Sequence, residues 1–335
     1  MSPIEPLTGQ LETWALAHYG AGAVISKVGS LGGHSGVTIG FDLAVPGNVS
    51  ERLVLKVPPP GVRPIGNFDV LRQVPLLQIM AAHDIPVPLP QKWSDDEKWF
   101  GSHYLVMSRV SGVSFPDIFL PGAGPGSRDS GKIFYQAIDV LVRIHAIDGI
   151  NELKGWSTPR LLPQEIDHWV KVLHKSTDTD WVGKGMRVNA LLHETMPQSC
   201  VVGIVHGDYY SNNWLHDRGR LSGVVDWEST TLGPILLDLG MLCMMYDETS
   251  WGPMRRANMG WHPTSEELAA AYAQRSALDL SDLNWYRALA GYRLACNTAY
   301  YYELHRSGKR PNPAWDVLGE SFTFMLDRAL LLLNN

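Results

Sequence analysis

The sequence predicts an α+β fold in two parts, and three observations carry that prediction. Up to about residue 108 the chain alternates short β-branched and aromatic runs with Gly- and Pro-rich turns. From residue 132 onward apolar residues recur at helical spacing. The helical part is interrupted once, by two apolar runs, 201–205 and 221–225, that read as strand–loop–strand. The predicted division is a small antiparallel-sheet N-terminal part, residues 1–108, and a larger, mainly helical C-terminal part, residues 109–335, with the break near 108–112.

Taken in order, residues 8–20 place Leu11, Trp14, Ala15 and His18 on one helical face, with Thr8 as the expected N-cap and Gly20 as the stop. Next comes a strand–turn–strand pattern. Gly29, Gly32, Gly33 and Gly36 surround His34 and Ser35, and Val37, Ile39 and Phe41 then alternate. Glycines at such a turn let backbone N–H groups approach a phosphate, although many Gly-rich hairpins are turns and nothing more. The order is neither GxGxxG nor a Walker loop. Residues 51–57 read as a strand carrying Lys56 and halted by prolines 58–60. That lysine either reaches nucleotide phosphates or faces solvent. Residues 68–83 read as a helix, starting near Val74 or kinked at Pro75. Residues 104–107 form a further strand, and 121–130 are loop by their Gly and Pro content. Helices are expected over 132–147, 162–175, 182–195, 265–276, 280–304 and 317–333.

Composition narrows the function classes. A hydrophobic share of 45% with 19% charged residues is that of a soluble globular chain. The net charge of −6, without any Lys/Arg run, argues against nucleic-acid partners, which need basic stripes. No apolar stretch approaches a membrane span, and residues 1–14 lack the basic and apolar regions of a secretory signal. Cys200, Cys243 and Cys296 are odd in number and widely spaced, so a reducing cytoplasm is the expected setting. Neither HExxH nor GxSxG occurs, and no His/Cys spacing suits zinc.

The hairpin carries the chemistry. Its first run leads to His206-Gly207-Asp208, Asn213 follows five residues after the aspartate, and its second run ends on Asp226. Strand–loop–strand geometry brings Asp208, Asn213 and Asp226 to one end. The trio suits a reaction in which one carboxylate positions a hydroxyl while an amide and a second carboxylate hold magnesium. A polar loop capping a hairpin would use the same residue types.

The order of parts resembles the aminoglycoside phosphotransferase family, the antibiotic-kinase and choline-kinase branch of the protein-kinase-like fold. Residues 206–213, HGDYYSNN, resemble its HGDxxxxN loop; 225–228, VDWE, its metal motif; 233–239, GPILLDL, its GxPxxDL segment with the proline one place early; and 141–145, LVRIH, its LxxLH helix end. The resemblance implies a two-lobed fold and transfer of the γ-phosphate of ATP, with Mg2+, to a hydroxyl of a small-molecule substrate. It implies that Asp208 is the catalytic base or hydroxyl-orienting carboxylate, and that Asn213 and Asp226 bind the metal. Lys56 would contact the phosphates, the turn of Gly32, Gly33, His34, Ser35 and Gly36 would cover them, and Met107, Ser108 and Val110 would form the hinge that receives adenine. His206 and Asp238 would support the loop. One departure stands out: Gln73 occupies the helix position where many relatives carry the Glu that pairs with the strand lysine, with Asp69 as a possible substitute. That departure motivates a competing class, a nucleotide-binding module without phosphotransfer. For the acceptor side, Glu228, Asp247 and Glu248 are acidic candidates and Tyr246, Trp251, Trp261 and Tyr300–Tyr302 aromatic ones. The balance favours an acceptor that is less cationic than an aminoglycoside and partly apolar.

Overall fold

The computed structural model describes residues 4–32, 36–115 and 131–334. The chain divides into two compact units, Met1–Ser111 with Gly223–Ser229, and Gly112–Ser222 with Thr230–Asn335.

In the first unit, helix α1 (Ile4–Tyr19) precedes a five-stranded sheet of β1 (Val24–Ser30), β2 (Val37–Ala44), β3 (Glu51–Val57), β4 (Pro90–Ser94) and β5 (Tyr104–Ser108), with α2 (Gln73–Ala82) between β3 and β4. The strand order is β1-β2-β3-β5-β4 and every pairing is antiparallel. Alternation sorts the sheet residues. Ile39, Phe41, Leu43, Leu53, Leu55, Val57, Tyr104 and Val106 pack with Leu11, Trp14 and Ala15 of α1 in one core. Trp14 donates its indole N–H to the Tyr104 hydroxyl at 3.1 Å, giving the buried ring a polar partner. Period 2 then turns Lys56 to the opposite face, together with Gly40, Val54 and Met107, which are register neighbours. Helix α1 begins at Ile4, so Thr8 lies inside it and not at its cap; Gly20, at φ +89°, ends it as expected. Two 3-10 turns lead into α2, which opens at Gln73. Pro75 therefore sits in the first helical turn, where its missing N–H costs no hydrogen bond, and the helix is not broken there.

The second unit contains β6 (Val113–Ser114), α3 (Gly131–His145), α4 (Gly149–Glu152), α5 (Leu162–Leu173), α6 (Thr179–Glu194), β7 (Val202–Val205), β8 (Trp214–Asp217), the start of β9 (Arg220–Val224), β10 (Thr231–Pro234), α7 (Leu236–Met245), α8 (Pro253–Ala257), α9 (Ser265–Ala273), α10 (Leu283–Arg306) and α11 (Ala314–Leu333). Helix α10 is its axis, packing against α5, α6, α7 and α11. A helix surrounded in this way must be buried on most sides, and α10 is, from Trp285 to Ala299. Its approach to α7 depends on Gly240, where a Cβ would lie 2.7 Å from the backbone carbonyl of Tyr286. Backbone cannot move aside as a side-chain tip can. Gly240→Ala is expected to destabilise the protein by about 1–3 kcal/mol in urea unfolding.

Strand β7 pairs antiparallel with β10, and β8 joins β6 and β9. The β8–β9 turn uses Arg218 and Gly219, both at positive φ (+48° and +75°), the requirement of a two-residue type I′ hairpin. Among the described residues no helix is long and apolar enough to cross a membrane.

Candidate active site

Lys56 leaves β3 on the face away from the α1 core and is nearly buried at 9% exposure. Its ammonium lies 3.3 Å from Asp226 and 3.3 Å from Glu228. Burial alone would lower the lysine's pKa, but the two carboxylates outweigh it and hold the amine above its ordinary value. Residues 223–229 are fixed from two sides. The Val224 N–H donates to the Pro86 carbonyl at 2.8 Å, and the buried Trp227 indole N–H donates to the Val224 carbonyl at 2.9 Å. Between them Asp226 adopts φ +65°, a left-handed conformation that Asp tolerates better than most residues. The lysine's partner is thus neither Gln73 nor Asp69. Gln73 is buried at the start of α2, and the Asp69 carboxylate accepts the Leu71 N–H at 3.0 Å as a cap.

Ser108 and Arg109 spend their backbone N–H groups on the Leu89 and Arg52 carbonyls, both at 2.8 Å, and Ser108 Oγ accepts the Leu89 N–H. Met107 is buried between β3 and β4. Val110 is the position of the expected hinge whose backbone groups have no partner among the described residues. Gly32 adopts φ +80°, and Gly36 runs so close to β3 that a Cβ would lie 2.7 Å from the Val57 carbonyl. Gly33, His34 and Ser35 lie outside the described residues.

In the second unit β7 delivers the chain to His206, where a buried carboxylate takes over. Asp238, in the first turn of α7, accepts the His206 N–H at 2.7 Å and the Gly207 N–H at 2.8 Å. Gly207, at φ +84°, makes the bend that lets both amides converge. His145 Nε2 lies 3.6 Å from Asp238, and its Nδ1 meets the Tyr272 hydroxyl at 2.7 Å. His206 Nδ1 accepts the Asp208 N–H at 3.2 Å, which places any neutral-ring proton on Nε2. The Tyr209 hydroxyl donates to the Ala137 carbonyl at 2.7 Å, and the Tyr246 hydroxyl donates to Ser211 Oγ at 2.6 Å. On this scaffold the Asn213 amide donates to both the backbone oxygen and the carboxylate of Asp208, each at 2.8 Å. Both bonds come from Nδ2, which leaves Asn213 Oδ1, the atom a hard cation would take.

The predicted residues therefore form two sets, Lys56 with Asp226 in the first unit and Asp208 with Asn213 in the second. Several acceptor candidates fall elsewhere. Glu228 faces Lys56, and Tyr246 and Trp251 are core. Asp247 is buried among Arg287 (2.8 Å), Arg328 (2.7 Å) and Thr249. Burial would raise the Asp247 pKa, but the Thr249 hydroxyl and the arginines outweigh it and hold the carboxyl below its ordinary 3.8. A depressed carboxylate stabilises the fold above its unfolded-state value and loses that contribution as pH falls through the folded one. Asp247→Asn is expected to lower stability at pH 7 and to flatten the decline of unfolding free energy below about pH 4, read from urea titrations at successive pH values.

Sequence reasoning did not single out Arg160, Glu165 and Arg293. Glu165 is buried and takes hydrogen bonds from Arg160 (3.0 Å) and Trp169 (2.8 Å), with Arg293 Nε at 3.4 Å; Arg293 Nη2 also reaches the Gly207 carbonyl at 3.4 Å. A charged residue within the buried stretch 288–296 of α10 was the visible signal.

Comparison with known proteins bears on the family and the fold. The sequence model of the phosphotransferase enzyme family matches residues 44–289. Among curated relatives, acyl-CoA dehydrogenase family member 10 of Mus musculus is 24% identical over 77% of this chain and 25% of its own length, and family member 11 of Rattus norvegicus is 27% identical over 73% and 33%. The chain thus spans about a quarter to a third of the length of these relatives. Among solved structures, a Ralstonia eutropha JMP134 protein provisionally assigned as an aminoglycoside phosphotransferase superposes with a TM-score of 0.76, at 24% identity and 98% coverage of both chains. A thermostable mutant of aminoglycoside phosphotransferase APH(4)-Ia, in a ternary complex with ADP and hygromycin B, gives 0.59 at 17% identity, over 97% and 98%. These likenesses establish a protein-kinase-like fold, with an antiparallel sheet toward the N-terminus and helices toward the C-terminus. By the match across 44–289, the chain belongs to the phosphotransferase enzyme family.

Proposed function

We propose that the protein is a small-molecule kinase that transfers the γ-phosphate of ATP, with Mg2+, to a substrate hydroxyl. The observation that carries the reading is Asp208, its carboxylate oriented by Asn213 on a loop whose amides are held by Asp238. Phosphoryl transfer asks a protein mainly for positioning and charge neutralisation. In this reading Asp208 aligns the acceptor hydroxyl and takes its proton, and Lys56 neutralises phosphate oxygens. Gly32, Gly33, His34 and Ser35 cover the phosphates, and Met107, Ser108 and Val110 border the adenine, with Val110 offering the backbone groups. Asp226 and Asn213 Oδ1 are oxygen donors of the kind magnesium takes, and two carboxylates against one lysine leave a negative excess suited to a cation. A magnesium ion taken up by such donors would neutralise charge on the transferring phosphoryl group. Among the described residues no group of three or more His, Cys, Asp or Glu could hold a metal alone; magnesium usually completes its shell with phosphates and water. The cytoplasm supplies both ATP and reducing conditions for the three free cysteines.

The alternative, a nucleotide-binding module without phosphotransfer, is motivated by Gln73; the counter-charges that Asp226 and Glu228 offer Lys56 support the phosphotransfer reading over it. The deciding experiment is magnesium-dependent ATP turnover with a panel of hydroxyl compounds. ATP binding with no phosphorylated product from any of them would sink the proposal. Lys56→Met is expected to raise KM for ATP by about tenfold or more, since it removes a charge-assisted contact, with product formation assayed over a range of ATP.

A further inference from the structure

The guanidinium cluster beside Gly207 carries more positive charge than its structural duty requires. Glu165, on α5, is buried, and burial works against its charge. Arg293, the Trp169 N–H and Arg160 outweigh that and hold the carboxyl below its ordinary value. One carboxylate is thus matched by two guanidiniums and leaves one positive charge. Arg293 is 9% exposed, and its Nε faces the Glu165 carboxylate at 3.4 Å as an ion pair without hydrogen-bond geometry. Its guanidinium lies over the Trp169 ring, 5.0 Å from the ring centre, and Nη2 touches the carbonyl of the residue preceding Asp208. The Arg160 side chain is 32% exposed, so its outer donors can be reached. Arg160 is held beside the strand pair that delivers the catalytic loop, its N–H donating to the Leu232 carbonyl at 2.8 Å. Burial and the two arginines push the neighbouring His168 below its ordinary pKa, so near neutral pH it offers a donor or acceptor and no fixed charge. Of the other charges nearby, Lys171 adds to the positive side, Asp167 is paired with His193 at 3.1 Å, Asp238 is taken up by the His206 and Gly207 amides, and Asp208 accepts from the Asn213 amide.

We infer that Arg160 and Arg293, with His168 and Trp169, form a subsite for an anionic group, carboxylate or phosphate, carried by the acceptor alcohol. The inference rests on the phosphotransfer reading above. Guanidiniums present planar pairs of donors that fit an oxyanion, and a polycationic acceptor would meet uncompensated positive charge at the same place. Trp169 supplies an apolar wall for the carbon chain between hydroxyl and anion.

The test compares matched acceptors in the ATP assay: 3-hydroxybutyrate with 1,3-butanediol, glycerol 3-phosphate with glycerol, and choline and kanamycin as cations. The anionic member of a pair is expected to show kcat/KM about tenfold or more above its neutral counterpart. Which pair shows the difference tells carboxylate from phosphate. Arg160→Ala is expected to erase most of that ratio through KM, and Arg160→Lys, which keeps charge without the planar fork, to restore part of it. Arg160 is the variant of choice because it is partly exposed; thermal unfolding and KM for ATP verify that the variant is folded. Equal or greater kcat/KM for the neutral or cationic members overturns the inference and leaves phosphotransfer standing. If no acceptor is phosphorylated, phosphotransfer fails, and the anion site is judged by binding alone. Butyrate and inorganic phosphate are then titrated calorimetrically against wild type and Arg160→Ala. Binding of either that weakens by about tenfold in the variant supports the subsite, and no difference overturns it.

Discussion

Asp208→Asn is expected to lower kcat for phosphoryl transfer by about two to four orders of magnitude, the range a positioned proton acceptor contributes, while KM for ATP changes little. The substitution is isosteric, so its effect isolates charge from shape. The Asp208 backbone N–H still reaches His206 Nδ1, and the Asn213 amide still finds an oxygen at the same place. What disappears is the negative charge that orients a hydroxyl and receives its proton. Rapid-quench measurement of the first turnover would separate this loss from product release. A fall of less than about fivefold, with the protein folded, would mean that another group accepts the proton.

Asp238→Ala is expected to destabilise the protein by about 3 kcal/mol or more and to abolish activity, although Asp238 touches no reacting atom in the proposed mechanism. The side chain is 1% exposed and serves two converging backbone donors. Alanine would leave both amides buried without an acceptor, each costing about 1–3 kcal/mol, and would leave His145 facing a cavity. Asp238→Asn is expected to be intermediate, since its oxygen can accept while its amide group presents donors to donors. Urea unfolding gives the free energies, and kcat measured at a temperature where each variant is folded gives the positional effect. A variant that stayed active while losing stability would show that the bend at Gly207 keeps its shape without Asp238.

The contrast between these residues and the acceptor side shows what a sequence can disclose. His206, Asp208, Asn213 and Asp238 were legible because polar residues at short spacing interrupt or follow apolar runs; Asn213 stands five residues from Asp208, and Asp238 stands 32 and 31 residues from the His206 and Gly207 amides it holds. The α1 core was legible for the complementary reason, that Leu11, Trp14 and Ala15 recur at helical spacing. The partner of Lys56 was not. Asp226 and Glu228 stand 170 and 172 residues away, and no local pattern distinguishes them from Gln73 or Asp69. Tyr246 and Trp251 illustrate a different limit: an aromatic side chain has the same signature in a pocket and in a core until packing decides. Arg293, on α10, was hidden by its distance in sequence from Glu165, whereas Arg160, only five residues before that carboxylate, carries no local mark that separates a paired loop arginine from a solvated one.

The segment 223–229 has a consequence for synthesis. It belongs to the first unit, yet the ribosome makes it more than a hundred residues after Ser111. Until Ser229 emerges, the nascent sheet carries Lys56 with neither counter-charge, and β-rich contacts of this sequence separation close slowly. At about 5–20 residues per second the delay is on the order of ten seconds. During it the first unit cannot reach the form described here. A ribosome-bound chain halted before residue 223 should therefore be more susceptible to protease in residues 1–111 than one halted well beyond 229, so the order of translation, and not only the order of packing, sets when this half of the protein matures.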